Sequence, residues 1–383
     1  MSDPLRICFF GTYVTSEGYP VNQVLLNGLR ASGGSVSECR VGLWQGFLHQ
    51  AFAGGGIGVW AGFVLRALGA YTRLVWRYLS TGSHQVVIVG YPGYADIVLA
   101  RLLNLFHRRL LVLVSFISLY DTIVLDREKV DQRSWKAKLL YSLDRLAFRC
   151  ADVVLVDTRE VADYFARVFS LDRGKFHRSM VGNIFDGFAP AGIHTGERTP
   201  LKVLFFGTYV PLHGIEHILE AADLLGEEEF EFTLIGRGQL YESVRGEAER
   251  RQLKRVHFID EWINTEGLVE RMRSADVCLG IFGTTPKAGR VIPYKVFGAL
   301  ALRRPVVTRD SPAVREMLVD GESALLCEAG SGASLASALR RLRDERGLAE
   351  HLASAGFARY GDCASAAAIG RDLLQALEAR CER

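Results

Sequence analysis

The sequence predicts an α/β protein made of two doubly wound domains, and three observations carry that expectation. The hexapeptide FFGTYV stands at Phe9 to Val14 and again at Phe205 to Val210. Each copy closes a short apolar run, LRICFFG or LKVLFFG, and leads into a helical pattern, VNQVLLNGLRASG or IEHILEAADLLG. Second, continuous β-branched runs alternate with helical stretches in both halves, as parallel sheets covered on both faces require. Third, 383 residues exceed what one compact core usually holds.

The first half offers buried-strand candidates at 85–91 (QVVIVGY), 110–116 (LLVLVSF) and 151–158 (ADVVLVDT). The second offers 230–236, 256–260, 275–282 and 304–310. Between the halves, APAGIHTGERTP (189–200) is rich in Gly, Pro, Thr and charge and reads as the linker. The expected division is 1–190, 198–365 and a last helix at 366–383 that packs back on the first domain.

Composition excludes several classes. With 49% hydrophobic and 23% charged residues the chain is neither disordered nor fibrous. Its 46 basic residues are nearly matched by 43 acidic ones, too little excess for binding nucleic acid on charge alone. The seven cysteines form no CxxC and no His/Cys pair at zinc-ligand spacing, so they read as free thiols of a reducing cytoplasm. MSDPLRICFF lacks the charged and apolar regions of a secretory signal.

The stretch 51–79 begins rich in glycine and continues FVLRALGAYTRLVWRYL. Helical spacing gathers Arg66, Arg73 and Arg77 on one side and leaves Trp60, Phe63, Tyr71 and Trp76 around the rest. Such a helix suits either packing on its own sheet or lying at an anionic lipid surface, through residues 60–79. Three arginines argue against a membrane span.

Four stretches resemble the GT-B glycosyltransferases of the GT4 type: ADVVLVDTREVADYF with VGNIFDGFAP, VLFFGTYVPLHGIEHILEAADLL, FTLIGRGQL, and VIPYKVFGALALRRPVVTRDSPAVREMLVDGESALL. The resemblance implies two Rossmann-like domains facing a cleft. It also implies sugar transfer from a nucleotide-sugar donor, retaining and without a metal, to a glycan, lipid-linked or small-molecule acceptor. No Asp-x-Asp occurs in the chain. No cofactor is expected beyond the donor itself, and the expected location is cytoplasmic, at the inner face of the membrane if lipid is contacted.

A nucleoside diphosphate needs backbone amides at a helix start, cations close by, and glycines that let phosphate approach the chain. Donor-binding candidates are therefore Gly207, Thr208, His213 and Gly214 in the loop before the helix at Ile215, Gly236 and Arg237 at a second glycine turn, and Lys295 and Gly298. Catalytic candidates are Lys287 and Arg290, as cations for the leaving diphosphate, and Asp121, which reads equally as a sugar-contacting group or a salt-bridge partner. By analogy with the family, Gly11, Thr12 and Gly18 face the acceptor side.

The chain departs from the family pattern in one respect. Members commonly carry Glu-x7-Glu, whereas no glutamate occurs from Arg271 to Arg315, and Arg290 and Gly298 stand at the two positions. The diphosphate-gripping Arg and Lys are replaced by Thr208 and His213. A catalytically weak relative that keeps the fold as a binding or scaffold protein is thus the alternative reading.

Overall fold

The computed structural model describes residues 4–15, 20–43, 57–192, 200–225 and 229–382. The N-terminal lobe runs β1 (Arg6–Gly11), α1 (Val21–Ala31), β2 (Ser35–Arg40), α2 (Ile57–Leu79), β3 (Val86–Val89), α3 (Tyr94–Leu103), β4 (Leu110–Val114), a π-helical turn (Tyr120–Asp126), α4 (Trp135–Cys150), β5 (Val153–Val156), α5 (Arg159–Phe169) and β6 (Phe176–Arg178). The C-terminal lobe runs β7 (Leu201–Phe206), α6 (Ile215–Leu224), β8 (Phe230–Ile235), α7 (Tyr241–Arg250), β9 (Val256–Ile259), α8 (Thr265–Ser274), β10 (Val277–Leu279), α9 (Tyr294–Ala301), β11 (Val306–Arg309), α10 (Pro312–Arg315) and β12 (Leu325–Cys327). Helices α11 (Gly332–Asp344), α12 (Leu348–Cys363) and α13 (Ala366–Cys381) close the chain.

Each lobe holds a six-stranded parallel sheet, ordered β2-β1-β3-β4-β5-β6 and β12-β11-β10-β7-β8-β9. The two copies of FFGTYV end β1 and β7. Both strands sit where the direction of winding reverses, between β2 and β3 in one lobe and between β8 and β10 in the other. That reversal leaves a crevice beyond the strands' carboxyl ends, because successive connections depart to opposite sides. The repeated turn is thus the feature each lobe presents at its crevice, and Gly11 (φ 127°) and Gly207 (φ 145°) make it with a backbone that other residues rarely adopt.

Burial explains the strands. Val86 to Val89 and Val153 to Val156 are buried throughout, as expected of central parallel strands covered on both faces. Strand β2 (SVSECR) is largely exposed and edge-placed, and β6 and β12 have three residues each. None of the three was expected, since none carries a long apolar run. Helix starts follow side-chain caps: Thr158, Asn264, Ser311 and Ser365 each accept the backbone N–H three residues ahead.

Helices α1 and α13 cross against one face of the first sheet. An added Cβ on Gly28 would lie 2.1 Å from the Ala366 carbonyl oxygen, and one on Gly370 2.0 Å from the Gly28 carbonyl oxygen. Only glycines allow this approach. One apolar cluster runs from this face through Phe185 to Phe297 and Leu300 of α9, so the lobes share a core at their hinge. Among the described residues, no helix is long and apolar enough to cross a membrane.

Candidate functional site

The site forms where the β7 turn meets the start of α9. Gly207 and Gly236 are packed turn on turn: a Cβ on Gly236 would fall 2.1 Å from the Gly207 carbonyl oxygen. The Tyr209 amide donates to the Arg237 carbonyl at 3.0 Å, locking the two loops together. His213 ends a short turn, and Gly214 (φ 60°) then starts α6, where a Cβ would collide with the Gly283 amide nitrogen at 2.3 Å. Glycine at 214 is therefore required twice, by conformation and by the approach of the β10 loop.

Lys295 lies in the first turn of α9 and is 5% exposed. Its Nζ stands 3.7 Å from the centre of the Phe205 ring and has no hydrogen-bond partner. A Cβ on Gly207 would lie 2.9 Å from that Nζ and 3.1 Å from His213 Cε1, so ammonium and imidazole converge on this turn. Burial holds the Lys295 ammonium well below its ordinary pKa. Burial first, then the Lys295 charge, pushes the His213 imidazole well below its own, and its Nδ1 is also unpartnered. Two buried cation-forming groups without an anion are costly unless an anion arrives.

Lys287 and Arg290 differ from this expectation of unpaired cations. Both sit in the seam between lobes, but both are paired with Asp121: Arg290 Nη2 reaches Asp121 Oδ1 at 2.8 Å and Lys287 Nζ lies 3.5 Å from Oδ2. Lys287 also donates to Thr122 Oγ1 at 2.7 Å and approaches Asp126 at 4.0 Å. The Arg290 guanidinium lies 3.7 Å over the Tyr164 ring, and its carbonyl accepts from Thr158 Oγ1 at 2.5 Å. For Asp121 the geometry is that of a salt-bridge partner. Of the three expected cations only Lys295 is unpaired.

Four other expected positions stand as follows. Arg237 is an exposed rim residue whose guanidinium is bound to Asp260. Thr208 is exposed at the turn. Gly298 backs onto the hinge: a Cβ there would lie 3.0 Å from both Asn183 Nδ2 and Phe185 Cε2, which fill the space a longer side chain needs. Thr12 is turned inward. Its amide and hydroxyl donate to Asp96 at 2.6 and 3.0 Å, and a Cβ on Gly11 would lie 2.5 Å from Asp96 Oδ2. Gly18 lies outside the described residues. Restoring the family's acid by Gly298→Glu should therefore lower stability by about 1–3 kcal/mol through overpacking, with no gain in donor binding. Thermal melts with and without nucleotide check this.

The sequence reading missed two acids. Asp96, at the start of α3, is buried and also accepts from Tyr71 Oη at 2.8 Å. It fills in the first lobe the place that Lys295 and His213 fill in the second. Asp157, just past β5, is buried with Oδ1 unpartnered, and burial pushes its carboxyl up to about 7 against the lowering pull of Lys287. An acid ending a buried strand, VVLVD, was the available signal. Among the described residues no three His, Cys, Asp or Glu side chains gather as a metal site would require.

Comparison with known proteins bears on family and fold. The family model "Glycosyl transferases group 1" matches residues 200–345, and "Glycosyl transferase 4-like domain" matches residues 17–179. The chain belongs to the GT4-like group 1 glycosyltransferases. A phosphatidyl-myo-inositol mannosyltransferase of Mycobacterium leprae is 33% identical over 158 residues, which span 40% of this chain and 40% of that protein. HepE of Anabaena, solved with UDP, superposes on 98% of this chain and 100% of its own at TM-score 0.67 and 14% identity. Sucrose-phosphate synthase of Thermosynechococcus elongatus covers 99% of both chains at TM-score 0.68 and 16% identity. These structural likenesses establish the two-lobed GT-B fold.

Proposed function

We propose that this group 1 glycosyltransferase moves a hexosyl group from a nucleotide-sugar donor to a glycan, lipid-linked or small-molecule acceptor, with retention and without a bound metal or other cofactor. The observation that carries the reading is the unpartnered Lys295 Nζ beside His213, both converging on Gly207 at the end of the strand where winding reverses. Phosphate oxygens approaching Gly207 meet no Cβ and draw protons onto both the Lys295 amine and His213, forming cations whose desolvation is already complete. Charge building on the diphosphate as the glycosidic bond stretches is then held in a dry site, where electrostatic stabilisation is strongest. Metal independence is supported by these side chains supplying the positive charge.

Lys287 and Arg290 enter only if Asp121 releases them, so their part in catalysis is coupled to movement of the lobes. The space filled at Gly298 and the saturated Asp121 favour, as a second reading, a protein that binds nucleotide and turns it over poorly. Thermal shift with a panel of nucleotide sugars tests the first, starting with uridine donors because UDP accompanies the Anabaena structure. At least one donor should raise the melting temperature and be cleaved; no shift with any donor overturns both readings, and a shift with no turnover supports the second.

A further inference from the structure

We infer that Arg309 selects a donor whose transferred sugar carries a carboxylate, that is, a hexuronic acid. The inference rests on the sugar transfer proposed above and adds the class of sugar to it.

The phosphate turn at Gly207 has two flanks. On the β8 side the Gly236 turn packs directly against it, and the rim beyond is held by the Arg237–Asp260 ion pair. On the β10 side the chain runs from Gly280 to Arg290 and crosses the seam, where Lys287 and Arg290 meet Asp121 and the Arg290 carbonyl accepts from Thr158. A group in transfer must face the lobe that presents the acceptor. The sugar therefore leaves the phosphates on the β10 side.

Arg309 stands on that side. It ends β11, the strand beyond β10, and its side chain reaches back over β10, where Nη1 donates to the Gly283 carbonyl. Gly283 is the residue that a Cβ on Gly214 would strike, and the Phe282 amide before it donates to the His213 carbonyl at 2.9 Å. A single stretch of main chain thus separates the guanidinium from the loop of His213. On the other flank a Cβ on Gly289 would lie 3.7 Å from Nη2, and Arg290 follows at once. Arg309 is consequently placed between the phosphate turn and the residues that cross to the first lobe.

No acid pairs with this guanidinium among the described residues. Its hydrogen bonds go to two main-chain carbonyls, Gly283 through Nη1 and Asp310 through Nε at 3.4 Å, and Nη2 makes none among the described residues. The Asp310 carboxylate is taken by Arg315, through contacts of 2.6 and 2.7 Å. Burial lowers the Arg309 pKa further than Asp310 raises it. A half-buried guanidinium with one edge unpaired is complementary to a planar carboxylate in charge and in shape.

The rest of the lining agrees. Each hydroxyl of a neutral hexose brings a proton that needs an acceptor, so a site for such a sugar mixes carboxylates or amides with hydrogen-bond donors. From Gly280 to Lys295 the polar side chains are Thr284, Thr285, Lys287, Arg290, Tyr294 and Lys295, with no acid and no amide. Across the seam Asp121 and Asp126 face Lys287 at 3.5 and 4.0 Å. The diphosphate is the other anion of this cleft, but its turn is already served by Lys295 and His213, at 2.9 and 3.1 Å from a Cβ on Gly207.

Isothermal titration of the full chain with donor pairs that differ only at C6 tests this: UDP-glucose against UDP-glucuronate, and GDP-mannose against GDP-mannuronate. Within the pair whose base is accepted, the acidic member should bind about tenfold more tightly or better. Arg309→Gln removes the charge and keeps an N–H for the Gly283 carbonyl. It should erase that preference and leave affinity for the neutral member within about twofold. Arg309→Lys should retain part of the preference. Equal or weaker binding of the acidic members by the native chain would overturn the inference and leave sugar transfer standing. An equal fall for both members in Arg309→Gln would overturn it too, by placing Arg309 on the diphosphate. So would loss of both the preference and the neutral affinity in Arg309→Lys, the mark of a loop brace. Binding of neither pair would overturn the inference, and the wider nucleotide-sugar panel then decides on transfer itself.

Discussion

Lys295→Met should make the protein more stable and nearly inactive. The ammonium is buried against Phe205 with no partner, so a linear apolar side chain of similar length removes a desolvation cost and keeps the packing. Removing a buried amine whose folded pKa is depressed gains about 1.4 kcal/mol at neutral pH for each unit of that depression. The gain depends on pH. Because the folded pKa of Lys295 is depressed, the unfolded chain binds more protons below the ordinary lysine range, and the native lysine costs more as pH falls. The stabilisation by Met should therefore shrink as pH rises toward 10 and grow as it falls toward neutrality. Donor turnover should fall about 10²–10³-fold, the usual loss for one transition-state charge contact. Differential scanning fluorimetry across pH, with initial rates, checks both arms. In the native protein, calorimetry in buffers of different ionisation enthalpy should reveal proton uptake when a nucleoside diphosphate binds, as Lys295 and His213 regain their protons. Release of protons, or none exchanged, would place the phosphates elsewhere.

Asp121→Ala should loosen the lobes without weakening donor binding. The carboxylate is held by Arg290 and Lys287, whose side chains are 16% and 14% exposed, and removing one member of such a buried network costs about 3–5 kcal/mol. The expected signs are a lower denaturant midpoint, faster proteolysis in the seam, and a shallower loss of stability with salt, because salt now screens the repulsion between Lys287 and Arg290. Donor affinity should hold or rise, since the freed cations gain the option of phosphate. A tenfold fall in affinity would instead mean that Asp121 touches the transferred sugar.

What was legible in the sequence follows from how local each feature is. The repeated FFGTYV fixes strand, turn and crevice within a few residues, so both switch-point turns could be read directly. Lys295 could be read as well, because the Pro-x-Lys before a small-residue helix sets its place at a helix start. The partnering of Lys287 and Arg290 could not, since Asp121 comes from the other lobe and its approach depends on how the lobes dock. The surroundings of Gly298 could not be read for a related reason: Asn183 and Phe185 of the hinge fill the space beside it, and no local pattern announces them. The inward turn of Thr12 depends on Asp96, which reaches it only when β3 has delivered α3 to the end of β1. Strand β2 was missed because an edge strand with exposed serines and a glutamate lacks the apolar signature of its neighbours.

The crossing of Gly28 and Gly370 bears on how the molecule can move. The chain passes from the first lobe to the second near residue 192 and returns at Ala366, where Asp186, in a 3-10 turn of the outgoing segment, accepts from the Ala366 amide at 2.8 Å. Two covalent tethers lying side by side define a line, not a point, so the lobes are free to swing like the covers of a book and are hindered from twisting. Any gape wide enough to admit a donor must then part Asp121 from Arg290 while leaving Phe185 and Phe297 near the spine almost still.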